Sequence, residues 1–264
     1  MRKVLATAAI FGVLSQVASA ETGEPADPGR TWRGWELGGQ LSNYRFEEPD
    51  FGVKIQGPKA GVTGAYTFSG KRKLFFRMDG RLAYGSLDYE GSGTLDSIPN
   101  WIFEVRGVLG KDFLPGSRTS LSPFAGLGYR YLYNDFRGTT STGAVGYQRF
   151  SRYLYLPLGL TARFKLGDSW VIAPTIEYDF FIKGEQVSQL SDTNLGFGDV
   201  TNSQDDGYGY RVSLMAEKGA WAFGPWMHYW KIERSDIVPV SSSIGFFEPK
   251  NETREFGFDV KYRF

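Results

Sequence analysis

From about residue 33 to the C-terminus, apolar and polar positions alternate with a period of two. The pattern is clear over Phe76, Met78, Gly80, Leu82 and Tyr84, which share one parity, while Arg77, Asp79 and Arg81 share the other. It recurs where Leu154, Leu156, Leu158 and Leu160 oppose Tyr153 and Tyr155, and where Ile172, Ile176, Tyr178 and Phe180 oppose Thr175, Glu177 and Asp179. Successive side chains of a strand point to opposite faces, so this period predicts strands and not helices. Ten segments carry it: 33–46, 59–69, 73–89, 100–113, 121–135, 149–165, 169–184, 207–218, 220–235 and 252–264. They are rich in aromatic and β-branched residues, as strands prefer. Several run well beyond the roughly five or six residues of a strand in a soluble domain. A tilted membrane strand needs about nine to eleven.

The connections sort into two classes. Links near 47–58, 90–99, 136–148, 185–206 and 236–251 are long and polar, and those near 70–72, 114–120, 166–168 and 218–219 are short. The two classes alternate along the chain. Long extracellular loops and short periplasmic turns alternate in this way in an antiparallel barrel with an even number of strands. A parallel α/β sheet would need helical crossovers, and the pattern offers none.

Composition changes the picture in three places. Arg2 and Lys3, an apolar stretch from Val4 to Leu14, and Ala18-Ser19-Ala20 read as a secretory signal peptide, residues 1–20, with cleavage expected after Ala20. There are 0 cysteines, which excludes a disulfide scaffold and thiolate metal sites. A net charge of +1 gives no field that would favour a nucleic-acid partner. The 21 Phe, 15 Tyr and 7 Trp gather toward segment ends, as in interfacial girdles: Trp35 at one end, and Tyr129, Tyr131, Tyr133, Trp226 and Trp230 at the other.

The chain ends with Phe256, Phe258, Val260, Tyr262 and Phe264 at every second position. This resembles the final-strand signal of small Gram-negative outer-membrane β-barrel proteins, the porin-like and surface-antigen class. In that class the barrel-assembly machinery reads the last strand, and the resemblance assigns that role here to Tyr262 and Phe264. The fold expected is an all-β, transmembrane, antiparallel up-and-down barrel of about ten strands over residues 33–264, preceded by a polar lead, 21–32. The resemblance places it in the outer membrane, in contact with lipid and lipopolysaccharide.

Ten strands invite comparison with the omptin surface proteases, whose family sets a pair of acidic residues opposite an Asp–His couple. The single histidine here, His228, has Trp226 two positions before it, and Asp79 and Asp88 are not spaced as an adjacent pair. Outer-membrane lipid hydrolases carry a serine two residues after the histidine, on the same strand face, where the histidine can act as base. That position here is Trp230. Neither site is present, so the expectation is a protein that is not an enzyme. By parity with Trp226, Trp230 and Ile232, His228 reads as a lipid-facing interfacial aromatic. One histidine and no cysteine leave little for a transition metal, and no cofactor is expected. Glu185, Asp192, Asp199, Asp205 and Asp206 form an acidic loop without the spacing of a calcium loop. Arg45, Arg137, Arg149, Arg152, Lys183 and Arg234 near the outer strand ends fit two roles, contact with lipopolysaccharide phosphates or simple solvation at the rim.

The inward parity carries the candidate chemistry. Arg77, Arg81, Arg106, Arg130, Arg163, Arg211 and Lys261 alternate inward, as do Asp79, Glu104, Glu177, Asp179 and Asp259, joined by Glu36, Glu217 and Glu255. Enclosed charges persist only when paired and hydrogen-bonded. The expectation is therefore a charge-filled lumen, closed to general solutes, with function carried by extracellular loops in surface structure or interaction. A narrow pore for small solutes is the alternative, and a surface enzyme with an unrecognised site the third.

Overall fold

The computed structural model describes residues 30–240 and 244–264. The expected signal peptide and most of the lead lie outside the described residues. The strands are β1 (Gly34–Glu48), β2 (Val53–Ser69), β3 (Leu74–Gly91), β4 (Gly93–Lys111), β5 (Thr119–Asp135), β6 (Gln148–Leu166), β7 (Trp170–Ser188), β8 (Val200–Gln204), β9 (Gly207–Lys218), β10 (Trp221–Ile232), β11 (Val238–Pro239), β12 (Gly245–Phe246) and β13 (Asn251–Arg263).

Eleven strands form one sheet, in which β6 pairs with both β5 and β7. The sheet closes into a barrel of ten strands, with β8 hanging from the side of β7 and β11–β12 forming a separate two-stranded ladder. All pairings are antiparallel between neighbours. The closing seam runs from Glu36↔Arg263 to Glu47↔Glu252, with the whole of β13 zipped to β1. Short turns at 70–73, 112–118, 167–169 and 219–220 lie at one end, here the turn end. Gly167 and Gly219 adopt left-handed φ of 63° and 55° there, as tight reversals require.

At the opposite, loop end, two of the expected long loops are largely strand. β1 and β2 pair up to Glu48↔Val53, and β3 and β4 up to Gly91↔Gly93. The β3–β4 hairpin runs on past β5, whose pairing with β4 ends at Asn100↔Asn134. Pro49, Gly52, Gly57 and Pro58 in the first stretch, and Gly91, Gly93 and Pro99 in the second, look like loop residues in the sequence, although Ile55 and Ile98 face inward. The link at 136–147 is a loop, the 233–250 link carries the β11–β12 ladder, and the 189–206 link contains β8.

The outer wall is apolar. Leu41, Leu109 and Ile176 are more than half exposed there, at 69%, 67% and 59%. Aromatic pairs band its two ends: Trp35–Tyr66 and Trp221–Tyr262 at the turn end, Tyr84–Trp101 and Tyr210–Tyr229 toward the loop end. Trp226 and Trp230 do not belong to that band. On β10 the inward positions are Ala222, Gly224, Trp226, His228, Trp230 and Ile232, and the outward ones include Trp221, Pro225 and Tyr229. Both faces of β10 are apolar, so hydrophobicity alone left its parity ambiguous and the expected lipid-facing position of His228 is reversed. Trp226 makes the inward direction plain by donating from Nε1 to Asp259 Oδ1 at 2.7 Å.

Removing residues 251–264 would leave β1 and β10 with unpaired edges in hydrocarbon, where each unsatisfied backbone group costs several kcal/mol. The expected outcome is loss of the heat-modifiable folded band on gels and absence of the protein from the outer membrane. A folded, membrane-inserted truncation would contradict the closed topology.

Candidate functional site: the barrel lumen

The lumen is built in three storeys. The floor lies at the turn end, where the segment before β1 turns under the barrel. Thr31 donates from its backbone N and from Oγ1 to Asp112, at 3.1 and 2.8 Å, just past the end of β4 on the far side of the ring. Ser122 donates to the same carboxylate at 2.6 Å. Arg163 donates to Thr31 Oγ1 and Ser122 Oγ at 3.3 Å each and lies 3.9 Å from Glu217. Arg263 bridges Glu36 at 3.0 Å and Glu217 at 2.9 Å, with its guanidinium over the Trp32 ring.

The middle storey is a continuous ion-pair lattice. Arg77 pairs with Glu36 at 2.8 Å. Arg106 joins Asp79 at 2.9 Å and Glu177 at 2.7 Å. Arg211 joins Asp179 at 2.7 Å, Glu177 at 3.1 Å, and Glu104. Arg81 spans Glu104 and Glu255 at 2.9 Å each, and Lys261 pairs with Asp259 at 2.9 Å. Tyr155 donates its hydroxyl to Glu104 at 2.6 Å, and Ser42 donates to Glu255 at 2.8 Å. Each arginine that spans two carboxylates ties two or more strands, which is the bidentate geometry guanidinium supplies and ammonium does not.

Eleven of the twelve candidate lumen residues thus sit in ion pairs. Arg130 does not. It is fully buried, none of its guanidinium nitrogens has a hydrogen bond, and it lies 5.5 Å over the Trp230 ring. Glu104 and Glu255 act on it only through the longer-range field. Lys59 is a second such cation, 2% exposed and 3.4 Å above the Tyr44 ring. Cations held on aromatic faces in a water-excluding layer gain more than they do at a surface. Sequence reasoning did not include Lys59 among the lumen residues, although it shares the inward parity of Thr63 and Thr67. Arg263, two positions beyond Lys261, was legible in the same way.

Above this lattice is a feature the charge pattern concealed. Tyr44, Phe46, Ile55, Leu87, Ile98, Ile102, Leu132, Tyr153, Trp230 and Ile232 form a buried apolar cluster inside the barrel. Trp230 joins the two storeys: it stacks on Tyr153, meets Tyr155 edge-on at 5.0 Å, and carries the guanidinium groups of Arg130 and Arg211 against its ring. Below the seal the lattice encloses a polar cavity of about 150 Å³. It continues into a second, of about 170 Å³, that reaches Thr31, Trp32 and Arg263 at the floor.

The loop end carries its own clamp. Arg149, at the top of β6, reaches Glu48 of β1 at 3.0 Å and also pairs with Glu248 of the last loop. Burial, together with the neighbouring Glu48, pushes the Glu248 carboxyl up to about 7, against the pull of Arg149. The other rim cations divide. Arg45 and Arg152 point outward and pair with Glu47 and Glu185 on the wall, and Arg137 pairs with Asp135. Tyr262, on the outward face, stacks edge-on against Phe264, whose backbone N donates to Trp35 O at 2.9 Å.

A model of the outer membrane protein beta-barrel domain matches residues 6–200. The chain belongs to that family. It is an outer-membrane protein, so the turn end faces the periplasm and the loop end the outside. No curated protein sequence matches it. Among solved structures, the barrel is similar to the outer membrane protease OmpT from Escherichia coli, with a TM-score of 0.59 at 11% identity, covering 93% of this chain and 99% of that one. Neisserial surface protein A matches at a TM-score of 0.36 and 11% identity, covering 88% of this chain and 97% of that one. The Ail protein of Yersinia pestis matches at 0.32 and 12%, covering 88% and 100%. The likeness to OmpT is one of fold. In this outer-membrane barrel His228 faces the lumen beneath the seal, and its Nδ1 has no hydrogen-bond partner.

Two outcomes follow from the lattice and the clamp. Glu104→Ala leaves Arg81 and Arg211 short of a buried partner, and removing one side of such a pair costs roughly 3–5 kcal/mol. Urea unfolding in lipid vesicles should show that loss, whereas exchange of exposed Glu47 for Ala should cost less than about 1 kcal/mol. For Glu248 the folded value lies above the ordinary 4.5. Its contribution is therefore complete in acid and is lost as pH rises through about 7. Protease cleavage within 233–250 should accelerate between pH 6 and 8, and Glu248→Gln should flatten that profile.

Proposed function

We propose that this protein is a closed, non-catalytic outer-membrane barrel that acts at the cell surface through its loop end. The observation that carries the reading is the apolar seal of Tyr44, Ile55, Leu87, Ile102, Leu132 and Trp230, packed across the lumen above the ion-pair lattice. A general porin has a water-filled bore, and barrels of eight to ten strands are narrow enough for side chains to fill. The hairpin tips and the loops 136–147, 189–206 and 233–250 then form the surface presented outside. They display Phe51, Leu195 and Ile237, each more than half exposed. Interaction sites on rigid barrels concentrate in such loops. On the wall just below, the half-exposed guanidinium groups of Arg45, Arg152 and Arg254 suit lipid phosphates.

Planar-bilayer recording of the refolded protein is the test. The expected trace shows no steady conductance, with openings appearing in Trp230→Ala, where the joint between seal and lattice is lost. Steady ohmic steps from every inserted wild-type molecule would overturn the closed reading. Hydrolysis of peptide or lipid A substrates by the folded barrel, above a heat-denatured control, would overturn the non-catalytic one.

A further inference from the structure

Hydrogen-bonding capacity in the lattice is unevenly used. Across four neighbouring strands Lys261, Gly38, Thr63 and Arg81 stand directly opposite one another, all inward. Gly38 has no side chain, and a Cβ there would come within 2.7 Å of Lys261 Cγ and 2.9 Å of Thr63 Oγ1. The glycine therefore lets the lysine lie across β1 beside the threonine. Gln40 is the next inward residue above it. These four side chains line the 150 Å³ cavity. Gln40 and Arg81 are 5% and 8% exposed, and Gln40 Nε2, Arg81 Nη1 and Thr63 Oγ1 have no hydrogen-bond partner. Lys261 uses one N–H on Asp259 and keeps two. One wall of the cavity thus presents donors from four groups without acceptors.

An acceptor stands beside them. Asp79, two residues before Arg81 on the same face, receives Arg106 on Oδ1, while its Oδ2 has no hydrogen bond and lies 3.6 Å from Arg77 Nε. The lining as a whole carries five cationic groups and five carboxylates. A net anion or cation would disturb that balance in a site of low dielectric, where an uncompensated charge is expensive. An occupant that is neutral overall, with an anionic end and a cationic end, would not.

We propose that this cavity binds a small zwitterion of the α-amino-acid type. Its carboxylate is received by Gln40, Thr63, Arg81 and Lys261, and its ammonium by Asp79 Oδ2. The volume suits one amino acid and no larger peptide. Access is from the periplasm: the second cavity shares Glu36, Arg77, Asp79 and Arg106 with the first and continues to the floor at Trp32, whereas the apolar seal bars the outer side.

The test is calorimetric titration and thermal unfolding of the refolded wild-type barrel with alanine, acetate and methylammonium, each alone. Alanine should bind saturably and raise the unfolding temperature, with acetate and methylammonium about tenfold weaker or worse. Thr63→Val, which keeps the side-chain shape, and Gln40→Leu should each weaken alanine binding several-fold while the barrel stays heat-modifiable. Absence of saturable binding by any probe means the cavity holds water only and overturns the proposal. Acetate binding as tightly as alanine overturns it in favour of a simple anion site. Unchanged alanine binding in folded Thr63→Val and Gln40→Leu places the amino acid elsewhere and overturns it as well. None of these results depends on whether the lumen conducts.

Discussion

Closure of the sheet by β1 against β13 is the constraint on which the rest depends. In hydrocarbon no water can satisfy a free backbone N–H or C=O, so a β structure that crosses a bilayer must have no edge. The unbroken register from Glu36↔Arg263 to Glu47↔Glu252 meets that requirement. Once the ring is closed, strand alternation sends every second side chain into the space it encloses. The contents of that space follow from the closure and not from any separate design of the interior.

The interior resolves the problem in two ways. Toward the periplasm the lattice of arginines and carboxylates keeps partial hydration: Arg77 and Lys261 retain about a fifth of their side-chain surface, at 22% each. Toward the outside the lumen carries the buried apolar cluster, and at its boundary the side chains of Lys59 and Arg130 lie on the rings of Tyr44 and Trp230. A buried ion pair contributes little net stability compared with apolar packing of the same volume. What the lattice provides is cross-wall ties: Arg81, Arg106, Arg211 and Arg263 each join carboxylates on different strands, so the ring keeps one shape. The same architecture gives the protein two unlike ends, an ion-pair lattice toward the periplasm and a loop-bearing face outside, where Arg149 ties Glu48 to Glu248.

Strand parity was legible where one face was charged and the other was not. On β3, Arg77, Asp79 and Arg81 could lie only inside once the outer wall was lipid, and the same holds for Glu177 and Asp179 on β7. On β10 that contrast fails, because Trp226 and Trp230 on one face are matched by Trp221, Pro225 and Tyr229 on the other. Aromatic residues serve both an interfacial girdle and an interior seal, and their identity does not say which. The extent of the hairpins was hidden for another reason. Glycine and proline in these segments mark a turn in the sequence, while the hydrogen-bond ladder continues through them.

By itself the sequence determined the fold class, the approximate number of strands, which end carries the loops, and most of the charged side chains that share the lumen. These follow from local periodicity and from turn chemistry, which act between residues close in the chain. Who pairs with whom was decided only by the tertiary structure. Arg81 meets Glu255, Thr31 meets Asp112, and Arg149 meets Glu48 across a ring whose opposite walls are brought together by curvature and stagger. No pattern within one strand encodes that stagger. The apolar seal is likewise assembled from single residues of many strands, each an unremarkable inward position until closure brings them to one level.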